Sequence, residues 1–126
     1  MRELTDRFVT ALHQLHADHD AEALVALFSE DATLSKLGDR HESTGPDGAR
    51  TFWTDYRAVF DSIEATFTHR VLDGEGVALE WTSEGTLRDG KPFSYAGVSL
   101  LDGDGSAITG FRTYYDSAAF LSDHLA

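Results

Sequence analysis

Apolar residues repeat with different periods in the two halves of this chain. Leu4, Phe8, Leu12 and Leu15 fall at three- and four-residue steps, the spacing that puts side chains on one face of a helix. His16-Ala17-Asp18-His19-Asp20 interrupts the pattern, and Asp20 is suited to cap a second helix whose apolar set is Leu24, Val25, Leu27 and Phe28. Ser29-Glu30-Asp31 ends that helix, and Ala32-Thr33-Leu34 reads as a short strand. The turn Gly45-Pro46-Asp47-Gly48 precedes a third helix that buries Phe52, Trp53, Tyr56, Val59 and Phe60.

From Ala65 onward the chain is rich in Thr, Val, Phe, Trp and Tyr, the residues that suit a pleated sheet. Asp73-Gly74-Glu75-Gly76, Asp89-Gly90-Lys91-Pro92 and Asp102-Gly103-Asp104-Gly105 are turn signals. They separate four predicted strands over 64–72, 77–88, 93–101 and 107–116. Such short connections make neighbours antiparallel, so these strands form a meander. A terminal segment, Ser117 to Ala126, reads as helical at Ala118-Ala119-Phe120-Leu121. Helices followed by an antiparallel sheet give the α+β class. A twisted sheet with helices on one face curls around them, and the enclosed space is a small-molecule pocket. No linker or repeat divides the chain, so residues 1–126 read as one domain.

Composition changes this picture in two ways. Ten basic against 22 acidic residues give a net charge of −12. That surface repels phosphate backbones and argues against nucleic acid as a partner. The acids are scattered, which fits a solvated acidic surface better than a site for cations. The absence of cysteine excludes disulfides and thiolate metal sites. Neither a signal-peptide core nor an apolar run of about 20 residues is present, so the expectation is a soluble, cytoplasmic protein without a membrane partner.

Strand alternation sorts the candidate residues. Val77, Leu79, Trp81, Ser83 and Leu87 share the face expected toward the helices; Glu80 and Glu84 share the outer one. In the last strand, Ile108, Gly110, Arg112, Tyr114 and Asp116 share a face, opposite Thr109, Phe111, Thr113 and Tyr115. Arg112, Tyr114 and Asp116 would then line one wall as a cation, a phenol and a carboxylate. A carboxylate in an apolar cone has its pKa raised toward neutrality, which suits acid/base work. Asp116 is equally placed to cap the terminal segment. Trp53, Tyr56 and Trp81 are amphipathic walls, packing below and touching ligand above. His13, His16 and His19 have metal-like spacing without an evident carboxylate partner, and read as a solvated helix end. His69 shares a face with Phe67 and Val71 and reads either as a satisfied sheet histidine or as a base.

The segment Leu24-Val25-Ala26-Leu27-Phe28-Ser29-Glu30-Asp31-Ala32-Thr33 resembles the second-helix signature of the nuclear transport factor 2-like superfamily. Gly45 with Phe52 and Trp53 is similar to its third helix. Glu80-Trp81-Thr82-Ser83-Glu84-Gly85-Thr86 with Asp89-Gly90-Lys91-Pro92, and the ending Ile108-Thr109-Gly110-Phe111-Arg112-Thr113-Tyr114-Tyr115-Asp116, resemble its SnoaL-like branch. The resemblance spans nearly the whole chain. It implies a cone in which three N-terminal helices pack on a curved antiparallel sheet of four to six strands. It also implies a homodimer, no cofactor, and a pocket whose mouth lies near His41. Fold alone does not select a chemistry.

Two activities of that superfamily lack their groups here. The base, tyrosine and second aspartate of ketosteroid isomerase fall at Lys36, Phe8 and Val98 or Ser99. In limonene epoxide hydrolase, the arginine and one aspartate fall at Trp81 and Ser83, while Asp116 matches the other aspartate. The cyclases, which need one acid/base group and a shaped apolar cavity, remain compatible. The resulting expectation is binding of a small apolar, oxygenated molecule. Asp116 would transfer protons, Arg112 and Tyr114 would orient, and Trp81, Trp53, Tyr56, Ser83 and His41 would contact the ligand. A non-catalytic binding or assembly module is the alternative.

Overall fold

The computed structural model describes residues 1–38 and 42–120. Helix α1 spans Arg2–Asp18 and presents Leu4, Phe8, Leu12 and Leu15 to the core, as the apolar stripe requires. It ends at His19, whose φ of 65° is left-handed and whose N–H donates to the Leu15 carbonyl. Asp20 accepts a hydrogen bond from the Glu22 N–H at 3.0 Å, which starts α2. That helix is a single turn, Glu22–Val25, shorter than its apolar set predicts. Phe28 is already in strand β1 (Phe28–Lys36) and pairs with Ile108. A short apolar run fits a helix turn or a buried strand equally well, and here strand pairing takes the second half of the run.

Strand β2 (Ser43–Thr44) leads into helix α3 (Gly45–Ala58). Gly45 has φ +71°, and a Cβ there would lie 2.9 Å from the Glu30 carbonyl oxygen, so the sharp entry to α3 requires glycine. Val59 lies beyond the helix, half-exposed, and Phe60 begins β3 (Phe60–Leu72); neither belongs to the buried helical face that their spacing predicts. Strands β4 (Gly76–Leu87), β5 (Pro92–Gly103) and β6 (Ile108–Tyr115) complete the meander. At each turn an aspartate side chain accepts backbone N–H groups two or three residues on: Asp73 from Gly76, Asp89 from Lys91 and Asp104 from Ala107.

The six strands form one sheet in the order β2-β1-β6-β5-β4-β3. The meander is antiparallel, but β1 runs parallel to β6, so the sheet is mixed rather than wholly antiparallel. The expectation of three N-terminal helices also needs adjustment, because β1 and β2 come before α3. Bulges on β6 and β3 change the facing of side chains. Thr109 has no partner between Asp102↔Gly110 and Gly103↔Ile108; Thr68 has none between Phe67↔Trp81 and His69↔Glu80. One extra residue bends a strand and reverses which face the following side chains occupy.

The core lies between the helices and the inner face of the sheet. Its fully buried side chains include Phe8, Leu15, Leu24, Leu34, Leu79 and Ile108. Each contributes roughly 1.5–3 kcal/mol of apolar burial. A second buried cluster, Phe60, Ile63, Trp81, Phe93 and Tyr95, lies toward the other end of the sheet.

Candidate functional site

A cavity of about 430 Å³ opens between α3 and the inner sheet face, within the range of small-molecule sites. Phe8, Leu12, Trp53 and Phe111 contribute to its apolar part, with the Trp53 and Phe111 rings 4.9 Å apart. Phe60, Tyr95, Tyr115 and Phe120 contribute further aromatic lining, with Phe120 packed edge-on against Tyr95 at 4.8 Å. The charged residues in the lining, Lys36 and Asp55, are both exposed. Buried charge without a partner is costly, so the described cavity presents mainly neutral chemistry.

Strand β4 brings Trp81 and Ser83 to the inner face and leaves Glu80 and Glu84 exposed, as alternation predicts. The Trp81 indole extends over β5 because Gly97 stands opposite it. A Cβ at Gly97 would come within 2.5 Å of the ring. In that position the indole N–H donates to Ser99 Oγ at 2.9 Å. Ser99 Oγ is in turn 2.9 Å from Thr113 Oγ1, and either hydroxyl can donate. Trp81, Ser99 and Thr113 therefore form a hydrogen-bonded neutral stripe across three strands, and Ser83 adds a separate hydroxyl to the cavity lining. The pair Ser99–Thr113 can offer a donor or an acceptor to a bound molecule.

Tyr56, from α3, lines the same cavity. Its hydroxyl lies 2.6 Å from His16 Nε2. Burial first, then the neighbouring Tyr95 phenol, hold the Tyr56 pKa well above 10, so it remains a neutral phenol. Burial also raises the pKa of Tyr95, followed in effect by the Tyr115 phenol. His16 is 6% exposed, and burial, His13 and Arg57 lower its pKa to about 4. Arg57 is itself buried and donates to the carbonyls of His16 and Phe60, joining the end of α1 to the start of β3.

This arrangement corrects the reading of a solvated helix end for His16 alone, since His13 and His19 are exposed as expected. His16 is in the interior, while the exposed His19 contacts the Arg57 guanidinium through Nε2 at 3.0 Å. The signal was available in the sequence, since the four-residue step through Leu4, Phe8 and Leu12 continues to His16. Among the described residues, no group of three or more His, Cys, Asp or Glu is placed to hold a metal.

The expected row Arg112-Tyr114-Asp116 does not line the cavity. Ile108 is fully buried, but the bulge at Thr109 shifts the phase, so Phe111, Thr113 and Tyr115 face inward instead. Arg112 points to the outer side, where it donates to Asp102 at 2.7 Å; that hydrogen bond is the main cause of its raised pKa. Tyr114 is 48% exposed. Asp116 is exposed, and its carboxylate accepts the Ala118 N–H at 3.0 Å. It caps the terminal turn Ser117–Phe120, which carries Phe120 to Tyr95. The bulge at Thr68 likewise separates His69 from Phe67: His69 is exposed opposite Glu80, while Phe67 lines the cavity. Of the expected ligand contacts, Trp53, Tyr56, Trp81 and Ser83 come together in the cavity lining. His41 lies outside the described residues.

No curated protein matches the sequence. Among solved structures, a nuclear transport factor 2-like protein from Anabaena variabilis superposes with a TM-score of 0.85 at 20% identity, over 94% of this chain and 90% of that one. A protein from Catenulispora acidiphila with a ketosteroid isomerase-like fold, in complex with trimethylamine, superposes at 0.80 with 24% identity, over 93% and 91%. TerC, co-crystallised with polyporic acid, superposes at 0.77 with 16% identity, over 98% and 99%. At these identities the likeness shows the fold alone. The sequence pattern of the SnoaL-like domain matches residues 6–111, and this chain belongs to that family.

Proposed function

We propose that this protein binds a small, neutral, largely apolar molecule that carries oxygen. The observation that supports this most directly is the cavity wall itself. Aromatic rings supply contact area, Ser83, Ser99, Thr113 and Tyr56 supply neutral hydrogen-bonding groups, and the charged lining residues are exposed. The co-crystallisation of TerC with polyporic acid supports a small-molecule role by analogy of fold. Acid/base catalysis by Asp116 has no support in its position, because the carboxylate caps a turn outside the cavity. Binding without chemistry at that carboxylate is therefore the reading carried forward.

Titration of tryptophan fluorescence with 2-acetylnaphthalene and with 2-naphthoate tests this. The ketone should quench saturably, and the carboxylate should bind at least about tenfold more weakly, because its charge would be buried without a partner. Absence of saturable quenching, or tighter binding of the anion, would reject the reading. A second copy of this chain is the partner we propose for the outer sheet face, where Val71 and Tyr114 are exposed large side chains. A monomer in light scattering at micromolar concentration would reject that pairing.

A further inference from the structure

His16 has no place in the family's signature residues quoted above, yet it is buried and one of its two ring nitrogens is committed. Nε2 meets the Tyr56 hydroxyl at 2.6 Å, and Nδ1 is buried without a hydrogen-bond partner. A neutral imidazole carries one hydrogen, which leaves two arrangements. With the hydrogen on Nδ1, Tyr56 donates to Nε2, and a buried N–H is left without an acceptor. With the hydrogen on Nε2, the imidazole donates to the Tyr56 oxygen, a bare lone pair is left on Nδ1, and the phenol hydrogen is released from His16. Orphaned buried N–H groups are the rarer defect in folded proteins, and leaving a buried group unsatisfied carries its full desolvation cost. The second arrangement is favoured because the phenol hydrogen it frees faces the cavity, where an acceptor can meet it, whereas nothing meets a hydrogen on the buried Nδ1. It occupies the phenol oxygen as an acceptor and turns the phenol hydrogen toward the cavity that Tyr56 lines.

We infer that His16 is a positioning residue that fixes Tyr56 as a hydrogen-bond donor to an oxygen acceptor, such as a ketone or quinone carbonyl, of a molecule in the cavity. The inference rests on the small-molecule reading of that cavity and names the acceptor chemistry it selects. Two features keep the pair in this state. Burial first, then His13 and the Arg57 guanidinium, whose Nε donates to the His16 carbonyl, disfavour a positive charge on His16. The Trp53 ring packs edge-on against Tyr56 at 5.6 Å, and Phe60 packs on it at 5.6 Å, which restricts the phenol.

The polarity is tested first without a ligand. Long-range ¹H–¹⁵N NMR of the histidine rings at pH 7 should show His16 protonated on Nε2; protonation on Nδ1 would overturn the inference. The ligand half is tested with 2-acetylnaphthalene and its hydrocarbon counterpart 2-isopropenylnaphthalene. Relative to the parent protein, Tyr56→Phe and His16→Leu should lower the ratio of ketone to hydrocarbon affinity about threefold to tenfold, the worth of one hydrogen bond. His16→Gln, whose amide can donate in place of Nε2–H, should recover it. The infrared carbonyl stretch of the bound ketone should move to lower frequency in the parent protein and in His16→Gln, and return toward its free value in Tyr56→Phe. An affinity ratio and a carbonyl stretch that are the same in the parent and in Tyr56→Phe would refute the donor role. If neither probe binds the parent protein, the small-molecule reading fails and the ligand half of this inference fails with it. The NMR tautomer then still decides the His16–Tyr56 polarity by itself.

Discussion

The inner and outer faces of the sheet carry opposite chemistry on neighbouring residues. On β6, Phe111, Thr113 and Tyr115 turn inward, while Arg112 and Tyr114 between them turn outward. On β4, Trp81 and Ser83 turn inward, and Glu80 and Glu84 outward. Inside, Trp81, Ser99 and Thr113 satisfy one another as neutral groups, and only His16 Nδ1 and Trp53 Nε1 are buried without a partner among the described residues. Polar groups outside form ion pairs in contact with water, as in Arg112–Asp102. The difference follows from solvation: a neutral hydrogen bond tolerates a dry wall, and an unpaired charge does not. It also teaches where energy is stored. Interior contacts carry the fold and the cavity, and exterior ion pairs are worth little.

The largest test of that contrast is Trp53→Ala. Trp53 is 3% exposed and packs against Phe8, Phe28, Phe52, Tyr56 and Phe111. Its removal should cost about 3–5 kcal/mol in urea denaturation. A cost below about 1 kcal/mol would show that the interior is loosely packed and that the contrast is overstated.

Acid should produce the next largest effect through His16. Its folded pKa of about 4 lies below the ordinary histidine value of 6.5. Between those values the unfolded chain holds a proton that the folded protein does not, so stability falls as pH drops from 6.5 toward 4. The full contribution is present above pH 6.5 and amounts to about 3 kcal/mol. The groups facing His16 are His13, Arg57 and the Tyr56 phenol. Denaturation of the parent protein and of His16→Gln at pH 7 and pH 4.5 isolates this contribution from the carboxylates, which both proteins share. Equal acid sensitivity in the two would show that His16 is not buried neutral.

Ser99→Ala leaves the buried Trp81 N–H without its acceptor and should cost about 1–3 kcal/mol. The same change in a Trp81→Phe background should cost less, because the donor is gone. Additive costs would mean that the inner stripe is not a coupled network. The smallest effect belongs to the outer face. Arg112→Gln breaks an ion pair whose side chains are 41% and 49% exposed, so stability should change by less than about 1 kcal/mol. Binding of 2-acetylnaphthalene should be unaffected. A loss of binding would place Arg112 at the ligand and break the comparison.

Much of this architecture is legible in the residues. The stripe of α1, the aspartate turns and the alternation of β4 each follow a local rule, and the structure keeps all three. The rule fails where the ladder is irregular. Counting in twos from Ile108 puts Arg112 and Tyr114 inside; the bulge at Thr109 puts them outside. The same error at Thr68 displaces His69. Trp53, Tyr56, Trp81 and Ser83 are found correctly at the cavity because α3 and β4 contain no such interruption. His16 is missed because a histidine on an apolar stripe looks like the end of the stripe when its partner, Tyr56, lies 40 residues away.

By itself, the sequence determines what short-range physics can enforce. Helical and strand periods, turn chemistry and the separation of charge from apolar surface all act over a few residues. The tertiary structure alone decides which side of β6 meets the cavity, because a bulge is chosen by the register of β5 across the ladder. It alone decides that His16 is neutral, because its burial depends on α3 and β3 closing over the end of α1 through Arg57. The outward turn of one strand removes an expected carboxylate from the cavity wall, and the inward turn of one histidine supplies a hydrogen-bonded phenol in its place.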